Sequence, residues 1–223
     1  MASRRIFSVA HLALSLLFFA HRQHLRRSLS MSGQESGFAL AVVGLGRIRG
    51  QIAMACCPGR SQSLPLPSSD ARALQRDVGT IERWGAQVLV TLLDDSELSK
   101  FHLQALPQLL SASRIVWQHA PLNPKRLPDL GFEDAWTGVG RRLTAILRHG
   151  GKVAIHCRDG RSRAGLVAAR LLIEAGCSPQ DAINRVRAAR PGAIEYPGAE
   201  RYVLSCVPRF RADEEAQLSL LPA

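Results

Sequence analysis

Residues 152–164 read KVAIHCRDGRSRA, and this stretch decides the fold of the chain. Val153 to Ile155 is a short apolar run, which predicts a buried parallel strand. From Ala164 to Ala175 small and apolar residues dominate, and Gly176 follows, which predicts a helix that ends there. The residues between them, Cys157 to Arg163, are therefore predicted to form a tight loop that joins a strand to a helix.

A loop in this position suits a phosphate dianion. Its backbone N–H groups can converge on one point, and the helix that follows directs its positive N-terminus at the same point. That field favours the thiolate of Cys157. Arg163 can bind two phosphate oxygens through its planar guanidinium, and Gly160 lets the backbone approach the anion without a Cβ. These are the parts needed for phosphoryl transfer through a cysteinyl-phosphate.

The stretch from His156 to Arg163 resembles the H-C-x-x-G-x-x-R signature of the cysteine-dependent protein tyrosine and dual-specificity phosphatases. Less specific segments between Gln51 and Val203 are similar to bacterial relatives of the kinase-associated dual-specificity phosphatase. The resemblance implies a single α/β domain with a parallel-dominated central sheet, helices on both faces and a strand–phosphate loop–helix active site. The implied activity is hydrolysis of phosphate monoesters by a protein phosphatase of tyrosine or dual specificity.

The resemblance also implies the roles of individual residues. Cys157 is the nucleophile, Arg163 stabilises the transition state, and His156 orients the loop and supports the thiolate. The phosphate-binding residues implied in this way are His156, Arg158, Asp159, Gly160, Arg161, Ser162 and Arg163. No metal or organic cofactor is implied, and the expected partner is a phosphorylated protein substrate.

The general acid of the resembled family is missing from its expected position. In that family an aspartate on a Pro-rich loop protonates the leaving oxygen, and counting from His119 and Pro121 places it at position 124, which is Pro124 here. Asp129 is the nearest carboxyl in the loop, and we interpret it as the substitute acid. Its alternative role is the N-cap of a helix that begins near Phe132.

Two further positions depart from the resembled family. Ala164 stands where a Ser or Thr hydroxyl usually helps to expel the cysteine, although Ser162 lies close by in the sequence. Ala199 stands where relatives have a glutamine that positions the hydrolytic water. All three departures affect leaving-group protonation or the second chemical step, and none affects phosphate capture. The sequence therefore predicts an intact phosphate site with slow turnover.

The 223 residues suit one domain with two tails. We assign residues 35–211 to the phosphatase domain, 212–223 to a flexible tail and 1–34 to a basic apolar extension. The apolar run in that extension, 15 residues from Ile6 to Ala20, is shorter than the ~20 residues that a membrane span needs. The extension is either a presequence, for an organelle or for export, or the product of a start site upstream of a true start at Met31. We favour the start at Met31 and a cytoplasmic location.

The charge and the cysteine content of the chain bear on which ligands and which cellular compartment to expect. The formal net charge is +11, but no basic stretch is interleaved with aromatic residues, so nucleic-acid binding is not indicated. The cysteines are odd in number, five, and their spacing fits neither a zinc site nor a disulfide framework. A reducing compartment is the natural interpretation.

Three alternative functions fit parts of the pattern. A rhodanese-type sulfurtransferase also places a cysteine in an anion-binding loop, and Cys157-Arg158-Asp159-Gly160 is similar to that family, although its loop is shorter. A non-catalytic phospho-ligand binding protein would explain Pro124, Ala164 and Ala199. A phosphatase acting on phosphoinositides or RNA 5′-phosphates would explain the arginines near the loop.

The rest of the domain is predicted as alternating strands and helices. Asp94-Asp95 follows a predicted strand, and we interpret the pair as a helix N-cap and not as catalytic. Strands are predicted at 38–43, 51–56, 87–93 and 114–118. Helices are predicted at 70–84, 107–112 and 135–149, after Ser178-Pro179, and at 200–210.

Overall fold

The structure is a computed structural model that describes residues 38–46, 48–60, 71–123 and 127–210. The predicted extension 1–34, the predicted tail 212–223, Asp70 at the start of the predicted helix 70–84 and Pro124 all lie outside these ranges. No helix among the described residues is long and apolar enough to cross a membrane.

Five strands of the described chain form one sheet in the order β1-β2-β5-β3-β4. β1 runs antiparallel to β2, and all other neighbouring strands are parallel. The predicted parallel-dominated sheet is therefore confirmed, with β5 at its centre. The strands are β1 Ala41–Leu45, β2 Ile48–Ala55, β3 Val88–Thr91, β4 Val116–His119 and β5 Lys152–His156.

Helices cover both faces of this sheet, as predicted. One face packs against α4 to α7 through an apolar core that includes Trp136 and Leu143, and the other packs against α1 to α3 through residues such as Ile81 and Leu106. Within the described residues the helices are α1 Ala71–Trp84, α2 Asp95–Lys100, α3 Leu106–Ser111, α4 Leu130–Arg148, α5 Ser162–Glu174, α6 Pro179–Ala189 and α7 Ala199–Ser205.

Several element boundaries differ from the sequence prediction: the helix predicted at 135–149, for example, begins at Leu130. Two of the differences have identifiable reasons. β2 begins at Ile48 and includes Gly50, which the sequence analysis had left outside the strand. A Cβ at Gly50 would lie 2.2 Å from the Leu147 carbonyl, so this glycine serves the close packing of α4 on the strand. The last helix ends at Ser205 and not at Phe210, because the N–H groups of Arg209 and Phe210 donate to the buried Glu174 carboxylate.

The register of the sheet brings four strand ends to one edge. Ala55, Thr91 and His119 are level with His156 at the carboxyl ends of the parallel strands. In open α/β sheets this edge is where ligand-binding loops gather. The loop after β5 therefore meets the loops after β2, β3 and β4, and the candidate site lies there.

Candidate active site

The loop after β5 is folded tightly onto the end of β2. Gly160 has φ +66°, and a Cβ there would lie 2.4 Å from the carbonyl carbon of Ala55. Cys57 N donates to the Arg158 carbonyl oxygen at 3.1 Å, which fixes the other side of the loop. Cys157 lies at the base of this loop and is buried. Only glycine allows the backbone to turn this closely at position 160.

The helix after the loop presents an uncapped N-terminus. α5 begins at Ser162, so Arg163 lies in its first turn and not in the loop as predicted. Arg161 occupies the N-cap position, its side chain makes no capping hydrogen bond, and the first turn contains no acidic residue. The first N–H groups of a helix need an acceptor, and the positive end of the helix dipole favours an anion. The end of α5 beside Cys157 is thus suited to bind a phosphate.

Arg163 is held by the protein along one edge of its guanidinium. Nη1 and Nη2 bind the two carboxylate oxygens of Glu97 at 2.6 and 2.7 Å. Nη1 also donates to the carbonyl oxygens of Leu92 and Leu122, both at 3.1 Å. Nε donates to none of the described residues, so the edge formed by Nε and Nη2 is open. That edge offers two parallel donors, which is the geometry that binds a phosphate or carboxylate through two oxygens.

Glu97 is a site residue that the sequence analysis missed. No role was predicted for it, and in the structure it completes a capping box: Asp94 Oδ1 accepts from Glu97 N at 2.8 Å, and Glu97 Oε2 accepts from Asp94 N. The N-cap interpretation of Asp94 is therefore confirmed. The side-chain hydrogen bond from Ser96 lowers the pKa of Asp94. The position of Glu97 after β3, at the same sheet edge as Cys157, was the available signal for its second role.

His156 is completely buried, and its ring contacts the hydroxyl of Thr91. Trp117 Nε1 donates to Thr91 Oγ1 at 2.9 Å, and Thr91 Oγ1 lies 2.7 Å from His156 Nε2. Because Trp117 can only donate, the hydroxyl proton of Thr91 is available to His156 Nε2. Burial lowers the pKa of His156 to about 3. Any support that His156 gives to the thiolate therefore comes from a neutral ring and not from a positive charge.

Asp129 is the N-cap of α4, as the alternative interpretation held. Its Oδ1 accepts from Phe132 N at 3.0 Å, and the helix begins directly after it at Leu130. Asp129 also lines a cavity of about 290 Å³ together with His119, Phe132 and Trp136. The capping hydrogen bond occupies one carboxylate oxygen of Asp129. The role of Asp129 as the general acid stays a prediction.

The other two departures lie in helices, Ala164 in the first turn of α5 and Ala199 at the start of α7. Ala164 and Ala199 are fully buried, whereas Ser162 is exposed at the start of α5. The neighbouring thiols of Cys56 and Cys57 are buried, and burial raises the pKa of both. Among the described residues no group of three or more His, Cys, Asp or Glu is arranged to hold a metal ion.

Three arginines surround the exposed turn of the loop. Arg60 Nη1 lies 2.6 Å from Asp159 Oδ1, and Arg190 Nη2 donates to the Asp159 carbonyl oxygen at 2.9 Å. Arg158 Nε lies 3.7 Å from the Asp159 carboxylate. Together with Arg161 these side chains give the mouth of the site a net positive charge.

The sequence of this chain matches a known protein family. The sequence profile described as Cyclin-dependent kinase inhibitor 3 (CDKN3) matches residues 38–183. The match covers more than half of the chain, which therefore belongs to this family.

Individual relatives agree with the profile. The cyclin-dependent kinase inhibitor 3 of Rattus norvegicus is 34% identical over 127 residues, which is 56% of this chain and 58% of the rat protein. The tyrosine-protein phosphatase CDC14 of Saccharomyces cerevisiae is 34% identical over 71 residues, covering 31% of this chain and 12% of CDC14. The matched region thus spans 58% of the length of the rat relative.

A solved structure matches the fold. The kinase associated phosphatase with its catalytic-site cysteine replaced by serine superposes with a TM-score of 0.64 at 23% identity. The match covers 85% of this chain and all of that structure. This chain therefore shares the fold of the kinase associated phosphatase.

Proposed function

We propose that this chain is a protein phosphatase of tyrosine or dual specificity, which hydrolyses phosphate monoesters through a cysteinyl-phosphate. The observation that carries the proposal is the open edge of Arg163, held by Glu97 in the first turn of an uncapped helix beside the buried Cys157. The family match supports this function over the sulfurtransferase alternative.

The geometry suggests how the first chemical step proceeds. The substrate phosphate occupies the loop, where the N–H groups at the start of α5 and the open edge of Arg163 bind its non-bridging oxygens. The Cys157 thiolate attacks phosphorus, the P–O bond to the leaving group breaks, and the leaving oxygen takes a proton from Asp129. The phosphate-binding donors are fixed before the reaction, so they stabilise the transition state without reorganising.

A phosphorylated protein is the substrate that we propose. The support is the name of the rat relative, an inhibitor of cyclin-dependent kinases, and that of the yeast relative, a protein phosphatase. We also propose a cytoplasmic location, since a catalytic thiol needs reducing conditions.

Replacement of the nucleophile tests the mechanism. Cys157→Ser should abolish phosphate release from phosphotyrosine and phosphothreonine peptides, because a serine hydroxyl is not ionised near neutral pH. The loop stays intact in this variant, so tungstate binding measured by calorimetry should survive. A variant that keeps substantial phosphatase activity would rule out the cysteinyl-phosphate. Thiosulfate-to-cyanide transfer by the wild type, assayed in parallel, would favour the sulfurtransferase instead.

One observation favours a second candidate, a phospho-ligand binding protein without turnover. Asp129 is engaged as a helix cap, and Ala164 offers no hydroxyl to the sulfur of Cys157. A wild-type protein that binds phosphopeptides tightly but releases no phosphate in the same assay would support this candidate.

A further inference from the structure

We propose that Glu195 is a catalytic residue, the general base that activates the water in the second step of the reaction. The proposal rests on the proposed function, because the step it describes is hydrolysis of the cysteinyl-phosphate. It concerns a carboxylate for which the sequence analysis assigned no role.

Glu195 lies at the mouth of the phosphate loop. Both of its carboxylate oxygens are 3.6 Å from the point where a Cβ on Gly192 would lie, and Arg161 Cδ is 3.5 Å from the same point. The carboxylate and the side chain of Arg161 therefore flank one glycine. Arg161 is the N-cap residue of α5, so Glu195 lies beside the N-terminus of that helix.

The segment that carries Glu195 is packed onto the first turn of α5. A Cβ on Gly165 would lie 2.9 Å from the Ala193 Cβ and 3.4 Å from Ile194 N. Gly165 follows Arg163 by two residues, and the absence of a side chain there is what lets the segment approach. The position of Glu195 is thus fixed relative to the phosphate-binding end of α5 by backbone contact.

The backbone next to Glu195 is strained. Ile194 has φ +60°, a conformation that is rare for a β-branched residue and costs on the order of 1–3 kcal/mol. Ile194 is also buried, so packing holds it in this conformation. Strain of this kind persists where the surrounding structure imposes it, and it clusters at functional sites. Here the strained residue directs the chain so that Glu195 stays exposed at the mouth.

The Glu195 carboxylate has no hydrogen bond or ion pair among the described residues. The other carboxylates close to the site are occupied: Glu97 binds Arg163, Asp129 caps α4, and Asp159 binds Arg60. Glu195 is therefore an acceptor beside the N-cap residue of α5 that no donor among the described residues uses. A general base must have such an acceptor available within reach of the water.

In the proposed step the cysteinyl-phosphate is hydrolysed. A water molecule attacks the phosphorus of the cysteinyl-phosphate while Glu195 accepts its proton. The new P–O bond forms as the P–S bond breaks, and the electron pair of that bond returns to Cys157 as the thiolate. Inorganic phosphate leaves, and Glu195 releases its proton to solvent. A base that generates hydroxide-like character in the water compensates for the missing hydroxyl at Ala164 and the missing amide at Ala199.

Pre-steady-state kinetics with 2,4-dinitrophenyl phosphate separates the two steps, since this leaving group departs without a proton. In Glu195→Gln the burst of dinitrophenol should remain, with an amplitude near one equivalent of enzyme. The steady-state rate should fall by about 10²-fold, the scale of general-base catalysis. The phosphorylated enzyme should accumulate and be seen by mass spectrometry after acid quench. Glu82→Gln, an exposed position on α1, is the matched control and should behave as the wild type.

Chemical rescue distinguishes a base from a structural residue. Added formate should restore part of the steady-state rate of Glu195→Ala, because a small carboxylate can occupy the vacated space, and it should leave the wild type and Glu82→Gln unchanged. A wild-type steady-state rate in Glu195→Gln would overturn the proposal, as would equal loss of burst and steady state without rescue. Failure of the proposed function itself looks different: Cys157→Ser would remain active and no phosphorylated enzyme would form in any variant.

Discussion

Arg163 is held by the fold in an orientation that leaves one edge of its guanidinium open. Two of its donor contacts go to Glu97 and two more go to the main-chain carbonyls of Leu92 and Leu122, after β3 and β4, which leaves the Nε edge for a ligand. The side chain is buried and so is most of Glu97. A buried arginine that lost this carboxylate would be an unpaired charge, so the pair fixes the guanidinium in one orientation.

Arg163→Lys should cause a large loss of activity. A lysine ammonium is a point charge and cannot bind Glu97, two carbonyls and two phosphate oxygens at once. We expect kcat/KM for an aryl phosphate to fall by about 10²-fold or more, on the scale of removing one preorganised transition-state donor. Arg142→Lys, whose guanidinium makes an exposed hydrogen bond to Gln118, is the matched control. A wild-type rate in Arg163→Lys would mean that Arg163 does not bind the phosphate.

His156 links stability to pH. Because its pKa in the folded protein is lowered to about 3, the unfolded chain binds the additional proton between pH 3 and the ordinary value of about 6.5. Stability contributed by this residue is therefore complete above pH 6.5 and is lost as the pH falls toward 3.

Urea titrations at pH 7 and pH 5 should reveal the contribution of His156 to the unfolding free energy. Between pH 7 and pH 5 the wild type should lose ~2 kcal/mol of unfolding free energy through His156, from 1.36 kcal/mol per pH unit below 6.5. The asparagine of His156→Asn does not titrate, so the unfolding free energy of this variant should fall by ~2 kcal/mol less than that of the wild type over the same pH interval. His149→Asn leaves His156 in place and should keep the wild-type difference. The same pH dependence in His156→Asn and the wild type would contradict the assignment of a neutral buried ring.

At the scale of elements, the sequence predicted the strands and helices whose formation depends on residues close together in the chain. The strand, loop and helix around Cys157 followed from an apolar run, a glycine and a change of periodicity, and all three are present. The contact between Glu97 and Arg163 spans 66 residues and depends on β3 lying beside β5, which no local pattern reveals. Gly50 was misread for a similar reason, because its role is set by α4 and not by its own strand.

Asp129, the N-cap of α4, has two possible roles, a helix cap and a general acid, and substitution by asparagine distinguishes them. If Asp129 protonates the leaving group, Asp129→Asn should slow phenyl phosphate by ~10²-fold and should slow 2,4-dinitrophenyl phosphate far less. Asn is as good an N-cap as Asp, so α4 should keep its stability in this variant. Equal rates of variant and wild type on both substrates would show that Asp129 is only a cap. Pro124→Asp, which restores the carboxyl where the resemblance implies it, should then raise the rate on phenyl phosphate alone.

The whole molecule is strongly basic, with 29 basic and 18 acidic residues. The positive charge matters most at the mouth, where Arg60, Arg158 and Arg190 surround Asp159 and Arg161 stands beside Gly192. A mouth with a net positive charge attracts substrates of the opposite sign and raises their rate of association.

The charge at the mouth predicts a preference for acidic sequence around the phosphorylated residue, and that preference should depend on salt. A phosphopeptide flanked by glutamates should have a higher kcat/KM than the same peptide flanked by lysines, by roughly 10-fold at low ionic strength. The ratio should shrink at 0.5 M salt, because the screening length falls from about 10 Å at 0.1 M to about 3 Å at 1 M. Most of the change should lie in KM, since the flanking residues do not take part in the chemistry. Arg190→Gln should reduce the ratio at low salt, whereas Arg142→Gln, on the exposed side of α4, should not. A ratio that ignores salt, or that favours the lysine peptide, would show that the arginines at the mouth do not select the substrate.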